Sequence, residues 1–301
     1  MTLATAPDLL IYPTAYFEKD FRERCAEGEA RLLHSKVVFV GLARNCGRWL
    51  ADNLQRMERM AQRCKAWALH IEANDCTDNT LEVLQSFASR HPQATYHYQV
   101  LGRKHYTAEF SGPRTIALAE YRDACQRWVR SCHGDADYVV VVDWDQWGGW
   151  SEAGFLNGIG WLLELPGAYG MASVSLSQYP TLSIGEDLQP KVSPGWIHYD
   201  AWALRLNTYW DDYTHGQGGW KHQWIPPVGS DPVAVRSAFG GLCIYRTDPY
   251  LHGTYDGTKD CEHVSYHASI AKKSGQLLYI NPSQRCVMSW MESHEGQHGD
   301  H

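Results

Sequence analysis

Two aspartates separated by one residue, Asp143 and Asp145, close an apolar run in the sequence VVVVDWD. If this run is a β-strand, carboxylates two positions apart point the same way, and a following turn can bring both toward one cation. Mg²⁺ and Mn²⁺ favour such sites, where one or two carboxylates are joined by diphosphate oxygens and water. Taken alone, the tripeptide fits a plain strand-ending turn better, because Asp is common in turns.

The apolar run before these aspartates is one of four that alternate with helical patterns. The predicted strands are SKVVFVGLA, AWALHIEA, ATYHYQVL and YVVVVDWD, and the predicted helices between them are NCGRWLADNLQRMERMAQRC, LEVLQSFASRH and PRTIALAEYRDACQRWVRSC. This alternation indicates an α/β fold whose parallel sheet is covered on both faces. Ligands of such sheets bind outside the carboxyl ends of the strands, where the polar segments LARN, EANDCTD and DWD lie. The shared position favours a cation site over a plain turn.

The second half of the chain is rich in aromatic residues. In residues 176–236 the only clear strand is YDAWALRL; beyond it SAFGGLCIYR and QLLYINPS are predicted strands and CEHVSYHASIAKKSG is a predicted helix. We expect this half to extend the same sheet and to carry a large aromatic loop region. The predicted organisation is an N-terminal extension (1–35) with a helix around Glu18–Leu33, one domain (36–290) and a polar, His-rich tail (291–301).

Composition excludes several classes of protein. The chain has 301 residues, 44% of them hydrophobic, and a net charge of −7, which argues against a protein that mainly grips nucleic-acid phosphates. Its apolar runs are far shorter than the roughly 20 residues of a membrane helix, and its N-terminus lacks the pattern of a signal peptide. Its 9 cysteines form no CxxC pair, which favours reduced thiols over a zinc ribbon or a disulfide scaffold. We expect a soluble, cytoplasmic protein.

Several segments, in order, resemble the nucleotide-sugar glycosyltransferases of GT-A fold over roughly residues 36–290. The segments are FVGLARNCGRWL, IEANDCTDNTLEVL, PRTIALAEYRDACQ and VVVVDWD, followed by HYDAWALR and FGGLCIY. The last two resemble the fungal capsule α-1,3-mannosyltransferases and their relatives, to which the motif pattern is closest. Cys76 stands where Ser is usual and Asp123 where Asn is usual. The resemblance implies a Rossmann-like, mostly parallel sheet flanked by helices, and metal-dependent transfer of a sugar from a nucleoside-diphosphate donor to an acceptor hydroxyl.

The resemblance also implies which residues bind the donor. The backbone around Leu42–Arg44 and the side chains of Glu72 and Asn74 would hold the base and ribose. Arginine suits the base or diphosphate, because a planar guanidinium matches phosphate oxygens. The alternative for Arg122 is an exposed charge on a helix face. The full donor set is Arg44, Glu72, Asn74, Asp78, Arg114, Arg122, Trp144, Gly240 and Gly241.

Three members of that set have further interpretations from the residues themselves. Asp78 is also a plausible helix N-cap. Gly240 and Gly241 lie in a predicted strand, where missing side chains permit a ligand to approach the backbone closely. A β-bulge explains the glycines equally well.

Metal ligands and catalytic residues complete the predicted site. Asp143 and Asp145 would hold Mn²⁺ or Mg²⁺ on the diphosphate. The third ligand would be a histidine near the C-terminus: His294 is the first choice, and the alternatives are His263, His267 and His298. Glu262 begins a predicted helix and would act as general base in an inverting enzyme or hold the acceptor in a retaining one; helix capping is its structural alternative.

Asp200 is the second catalytic candidate. Period-two alternation would place it on one strand face with Trp202. Trp202 and Trp196 are predicted to bind the acceptor sugar, with Trp210, Trp220 and Trp224 nearby in sequence, although most tryptophans pack in cores.

Three rival functions stay open. A nucleotidyltransferase also needs a nucleotide pocket and carboxylates, but the first predicted strand is not followed by its glycine-rich phosphate loop. A glycoside hydrolase uses two carboxylates without metal or nucleotide. A non-catalytic carbohydrate-binding protein would show neither donor hydrolysis nor transfer. The donor is a UDP- or GDP-sugar, with GDP-mannose and retention favoured by the resemblance. We expect a glycan acceptor, although a modified DNA base stays open.

Overall fold

A computed structural model of the chain describes residues 6–106, 112–185, 187–206 and 225–291, which are built around one 11-stranded β-sheet. The strands are β1 (Lys36–Ala43), β2 (Ala66–Asn74), β3 (Ala94–Gln99), β4 (Tyr138–Asp143), β5 (Gly149–Trp150), β6 (Ala168–Ile184), β7 (Pro190–His198), β8 (Arg205–Leu206), β9 (Val233–Ser237), β10 (Leu242–Arg246) and β11 (Leu277–Ser289). The helices are α1 (Asp8–Ile11), α2 (Glu18–Leu32), α3 (Gly47–Ala61), α4 (Thr80–Arg90), α5 (Gly112–Cys132), α6 (Glu152–Glu164), α7 (Thr247–His252) and α8 (Glu262–Ser274).

The order of the strands is β3-β2-β1-β4-β10-β6-β11-β9-β8, with β7 paired to β6 and β5 paired to β11. Strands β1 to β4 pair in parallel, as the alternating pattern predicts. Strand β10 runs antiparallel to both β4 and β6, so β6 has the direction of β4, and β11 pairs in parallel with β6. The predicted α/β class, with a mostly parallel central sheet flanked by helices, is confirmed.

Helices cover both faces of the sheet because the central strands are apolar on both sides. In β1, Val38 and Val40 enter one buried core, which also contains Val129 of α5 and Ile270 of α8. The alternate residues of the same strand enter a second core, which contains Leu50 and Leu54 of α3. Successive side chains of a strand point to opposite faces, so a continuous apolar run marks a strand buried on both sides.

The register of the parallel strands brings the predicted polar segments to one edge. Leu42 of β1 pairs with Glu72 of β2 on one side and with Asp143 of β4 on the other. Residues that directly follow Leu42, Glu72 and Asp143 therefore lie together at the carboxyl edge of the sheet. This is the edge at which the sequence predicts a ligand.

The second half differs from the prediction in three places. Strands β6 and β7 form a long hairpin, with Leu176 opposite His198, that the sequence did not reveal; its outer part, SQYPTLSI, is largely exposed, including its apolar residues Leu182 and Ile184. The predicted strand YDAWALRL was wrong: residues 199–204 form a turn, and only Arg205–Leu206 is strand. Gly240 and Gly241 precede β10 in a turn, with φ angles of 70° and 82° that favour glycine, and do not lie in a strand.

The segment before residue 36 is packed against the rest of the fold. Helix α2 lies on α6 so closely that a Cβ atom on Gly28 would stand 1.9 Å from the carbonyl oxygen of Leu156. Arg24 pairs with Glu164 at 3.2 Å, and Leu32 is fully buried in the core. Within the described ranges, no helix is both long and apolar enough to cross a membrane.

Candidate active site

A cleft of about 290 Å³ lies at the carboxyl edge of the sheet. Its lining includes six residues predicted to bind donor or metal: Arg44, Asn74, Arg114, Arg122, Asp143 and Asp145. They come from the ends of β1, β2 and β4 and from α5. The parallel register explains why residues far apart in sequence meet here.

The rest of the lining is mainly aromatic and apolar, and apart from Leu42 and Ala43, whose backbone was predicted to hold the base and ribose, the sequence analysis missed it. It consists of Leu42, Ala43, His105, Tyr106, Ala117, Leu118, Tyr121 and Tyr199. Asp143 was located by the rule that ligands bind outside the carboxyl ends of parallel strands. The same rule applies to β3, whose carboxyl end leads to His105 and Tyr106. Tyr121 is adjacent to Arg122 on α5, so the helix already singled out carried this signal as well.

Asp75 and Arg44 hold the loop that presents His105 and Tyr106. The Asp75 carboxylate accepts backbone N–H bonds from residues 101, 102 and 103 at 2.7, 2.8 and 3.1 Å. The Arg44 guanidinium donates to the carbonyl oxygens of residues 103 and 104 at 2.7 and 3.2 Å. The loop is therefore tied to the ends of β1 and β2, and Arg44 combines this role with lining the cleft.

A buried guanidinium links two carboxylates beside the cleft. Arg122 donates from Nε to Oε1 of Glu262 at 2.9 Å and from Nη2 to Oδ1 of Asp143 at 3.0 Å. Its third nitrogen, Nη1, is buried without a hydrogen-bond partner among the described residues, and its guanidinium lies 4.9 Å from the ring of Phe239. The expectation of an exposed helix-face charge is thus excluded, because Arg122 is only 5% exposed.

Burial and mutual repulsion disfavour the charged forms of Asp143 and Asp145. Desolvation raises the pKa of Asp143, against the opposing effect of Arg122. Desolvation and the like charge of Asp143 also raise the pKa of Asp145. Asp145 is exposed at the cleft, so solvent screens part of this repulsion. A cation placed between the carboxylates would relieve it.

The donor set fits a hard divalent cation whose shell is completed by substrate. Asp143 and Asp145 supply carboxylate oxygens to one cleft, the ligand type that Mg²⁺ and Mn²⁺ prefer. No group of three His, Cys, Asp or Glu residues suited to a metal occurs in the described part of the chain. Such a site therefore depends on phosphate oxygens and water for its remaining ligands.

The alternative histidine ligands are wrong. His267 is buried, with Nδ1 at 2.9 Å from Ser237 Oγ and Nε2 at 2.7 Å from Tyr245 Oη, so both ring nitrogens are engaged. His263 is buried, stacks on Phe239 at 4.0 Å and does not line the cleft. His294 and His298 lie outside the described residues.

The two catalytic candidates differ in access. Glu262 is 2% exposed, is paired with Arg122 and, like Asp200, is not part of the cleft lining; this burial disfavours its predicted role as a base or acceptor-binding residue, which stays a prediction. Asp200 is half-buried in the turn after β7, next to Tyr199 of the cleft lining. It accepts N–H bonds from Gly240 at 2.8 Å and Ala203 at 3.3 Å. Desolvation nevertheless raises the pKa of Asp200 to about 7.

Three predicted donor residues have structural roles instead. Trp144 is fully buried in the core, 6.2 Å from Trp150 between ring centroids, so its predicted donor contact was wrong. Asp78 accepts N–H bonds from residues 47 and 80 at 2.9 and 3.0 Å, the first residues of α3 and α4, although the N-cap of α4 is Asn79 and not Asp78 as predicted. Glu72 contacts His70 at 3.1 Å and His97 at 2.8 Å. None of the three lines the cleft.

The two glycines position the aspartates. Gly240 donates to Asp200, and a Cβ atom at Gly240 would stand 2.0 Å from the carbonyl oxygen of Ser173. The carbonyl oxygen of Gly241 accepts the N–H of Asp143 at 2.9 Å. The close approach is therefore to the protein's own backbone, and a contact with the donor sugar stays a prediction.

The predicted acceptor tryptophans lie in different settings. The guanidinium of Arg114, which lines the cleft, lies 4.8 Å from the ring of Trp202. Trp196 is half-buried on β7 and packs against the core. Their acceptor role stays a prediction, and Trp210, Trp220 and Trp224 lie outside the described residues.

Comparison with known proteins gives weak likenesses. No protein-family model matches the chain. No curated protein matches it. Similar solved structures include the mannosyltransferase PcManGT from Pyrobaculum calidifontis in complex with GDP-Man and Mn²⁺ (12% identity, TM-score 0.48, covering 91% of this chain and 65% of that one). Others are GalNAc-T7 with UDP, GalNAc and Mn²⁺ (10%, 0.46, 96% and 56%) and S. aureus TarS 1–349 in complex with UDP (9%, 0.46, 84% and 60%).

This chain spans between 56% and 65% of the length of those three chains. With TM-scores no higher than 0.48, the likenesses carry no weight for function. An assignment of function therefore rests on the residues that line the cleft.

Proposed function

We propose that this chain is a glycosyltransferase that uses a divalent cation and a nucleoside-diphosphate sugar. One observation carries the proposal: the cleft at the carboxyl edge places two carboxylates beside arginines and continues into an amide and aromatic region. Carboxylates alone would serve a cation, and arginines alone would serve an anion. Together they fit a diphosphate held with its metal.

Each part of such a donor has candidate binding residues in the lining. Asn74, Tyr106 and Tyr121 offer an amide and aromatic rings to the base and ribose. Arg114 would donate to phosphate oxygens, and Arg122, which also lines the cleft, would add positive charge beside them. Asp143 and Asp145 would hold the cation, which when bound supplies positive charge to stabilise the leaving diphosphate.

Among the described residues beside the cleft, Asp200 is the one we assign to move a proton. A carboxylate with a pKa of about 7 is matched to accept a proton from an acceptor hydroxyl near neutral pH. In a retaining reaction the same side chain would orient the acceptor. The motif resemblance to the fungal capsule α-1,3-mannosyltransferases favours GDP-mannose as donor and retention as outcome.

The arginines favour a transferase over a glycoside hydrolase, since a neutral glycoside gives Arg114 and Arg122 no anion to bind. Incubation with UDP- and GDP-linked sugars and Mn²⁺ tests the proposal through released products. We expect release of a nucleoside diphosphate, slow with water and faster with a glycan acceptor. Release of pyrophosphate would indicate a nucleotidyltransferase, and cleavage of simple glycosides without nucleotide would indicate a hydrolase. Asp248→Asn, an exposed residue on α7, is the matched control for Asp145→Asn.

A further inference from the structure

Three tryptophans from separate parts of the chain meet beside the turn that carries Asp145. Trp49, in the first turn of α3, stacks on Trp147 with ring centroids 5.1 Å apart and planes 22° from parallel. Trp290, directly after β11, packs edge-on against Trp49 at 5.6 Å and against Trp147 at 5.2 Å. We call these three residues the tryptophan cluster.

The tryptophan cluster differs from the tryptophans of the core. Trp144 and Trp150 are 0% exposed, whereas all three members of the cluster are half-buried. Trp49 and Trp147 lie outside both buried cores, and the guanidinium of Arg48 lies 4.2 Å from the Trp49 ring. The same guanidinium lies 6.0 Å from the Trp147 ring centroid, so Arg48 sits over the cluster and not beside it. Aromatic surface gathered outside the core together with a cation is typical of a binding surface.

The tryptophan cluster is fixed relative to the cleft. Gln146, between Asp145 and Trp147, is buried and donates from Nε2 to the carbonyl oxygens of Asp143 at 3.0 Å and Gly241 at 2.7 Å. Asn53 of α3 donates to the carbonyl oxygens of residues 144 and 146 at 3.0 and 2.8 Å. The turn that lines the cleft at Asp145 therefore also holds Trp147 in place, and a ligand can be bound there with little loss of conformational entropy.

We propose that the tryptophan cluster is a subsite for a saccharide acceptor, an inference that rests on the proposed function. A bound donor places its diphosphate at Asp145, so the acceptor has to approach from a surface next to that residue. Pyranose rings present C–H faces that pack on indoles and hydroxyls that pair with polar groups such as Arg48. A single-stranded nucleic acid also stacks on aromatic rings, but the net charge of −7 disfavours it.

The test measures saccharide binding in the full chain, saturated with Mn²⁺ and whichever of UDP or GDP it binds. The probes are soluble hexaoses of glucose, mannose, galactose and N-acetylglucosamine, followed by calorimetry, with an oligothymidine of ten nucleotides as competitor. We expect at least one hexaose to bind, and Trp49→Leu and Trp147→Leu each to weaken it about tenfold or more, while nucleotide affinity stays within twofold. A stacked ring contributes on that scale.

Trp161→Leu is the matched control, because Trp161 is half-buried and also lies under a guanidinium, that of Arg24 at 4.5 Å, but is carried by α6. Its saccharide affinity should equal that of the unaltered chain. The inference would be overturned if no hexaose binds although nucleotide does. It would also be overturned if hexaose binding survives both the Trp49→Leu and Trp147→Leu substitutions, or if it is lost only in Trp202→Leu. Binding of the oligothymidine to the tryptophan cluster in place of sugars would overturn it as well. Failure of nucleotide binding itself would count against the proposed function instead.

Discussion

Arg122 and Glu262, 140 positions apart in sequence, form a buried ion pair with 2.9 Å between Nε and Oε1. The same guanidinium reaches Asp143 at 3.0 Å, so a residue at the start of α8 fixes the orientation of an aspartate at the end of β4. Burying charges is expensive unless they are paired, and Glu262 supplies that pairing. We therefore assign Glu262 a positioning role: it acts through Arg122 and does not touch substrate.

Glu262→Gln tests this assignment. The amide keeps the shape and an oxygen acceptor but removes the charge that balances Arg122, and removing one partner of a buried pair costs about 3–5 kcal/mol. We expect a lower midpoint of denaturant unfolding and weaker Mn²⁺-dependent nucleotide binding. A variant with unchanged stability and nucleotide affinity but no transfer would restore Glu262 to the role of catalytic base.

Asp145→Asn should separate metal binding from folding. Asp145 is exposed and is repelled by Asp143, so loss of its charge removes repulsion without leaving a buried partner unpaired. We expect the thermal midpoint without ligand to stay equal or rise slightly, while Mn²⁺ no longer strengthens nucleotide binding. Asp248→Asn should change neither property. A fall in the ligand-free midpoint of Asp145→Asn would show that the aspartate has a structural role instead.

Asp200 should make the free energy of unfolding fall as pH rises. Its folded pKa of about 7 lies above the ordinary 3.8, so between these values the folded chain keeps a proton that the unfolded chain has released. Stability therefore decreases with pH across that window. Urea unfolding gives the free energy of unfolding of the unaltered chain and of Asp200→Asn from pH 4 to pH 8. The difference between the two free energies isolates the pH dependence that is due to Asp200. A difference that does not vary with pH would contradict the raised pKa.

Asp75→Ala should loosen the loop that carries His105 and Tyr106. Against a desolvation effect, hydrogen bonds from Asn74 and from the N–H groups of residues 101–103 lower the pKa of Asp75 to about 2. Without the carboxylate those N–H groups lose their common acceptor, so we expect nucleotide affinity to fall several-fold and the unfolding midpoint to fall as well. Asp187→Ala, which removes a single N–H acceptor in an exposed turn, is the control. Equal nucleotide affinity in both variants would contradict the role assigned to Asp75.

The parts of the fold that could be predicted from the sequence are those encoded by local patterns of apolar and polar residues. The apolar runs of β1, β2 and β4 predicted parallel strands, and the rule that ligands bind outside their carboxyl ends then placed Asp143, Asp145, Asn74 and Arg44 together. What the sequence missed depends on contacts between distant segments. Nothing near Glu262 in sequence indicates that Arg122 buries it, so a helix-starting carboxylate was predicted to be catalytic.

The tryptophans make the same point. Trp144 and Trp147 are three positions apart and equally aromatic, yet one is packed in the core and the other meets Trp49 and Trp290 at the surface. Only the tertiary structure separates the two settings. The hairpin of β6 and β7 was missed for a different reason: its outer part is mostly exposed and contains Pro180, so it lacks the continuous apolar run by which β1 and β4 are recognised.

Binding of UDP and GDP, each with and without Mn²⁺, tests the central claim most directly. Thermal unfolding is sufficient, since a ligand at about 100 times its Kd adds roughly 2.7 kcal/mol to stability. We predict that one of the two nucleotides raises the midpoint, that Mn²⁺ enlarges the shift, and that Asp145→Asn loses the enlargement. If neither nucleotide changes the midpoint with or without Mn²⁺, the cleft at the carboxyl edge does not bind a nucleotide and the proposed function is wrong.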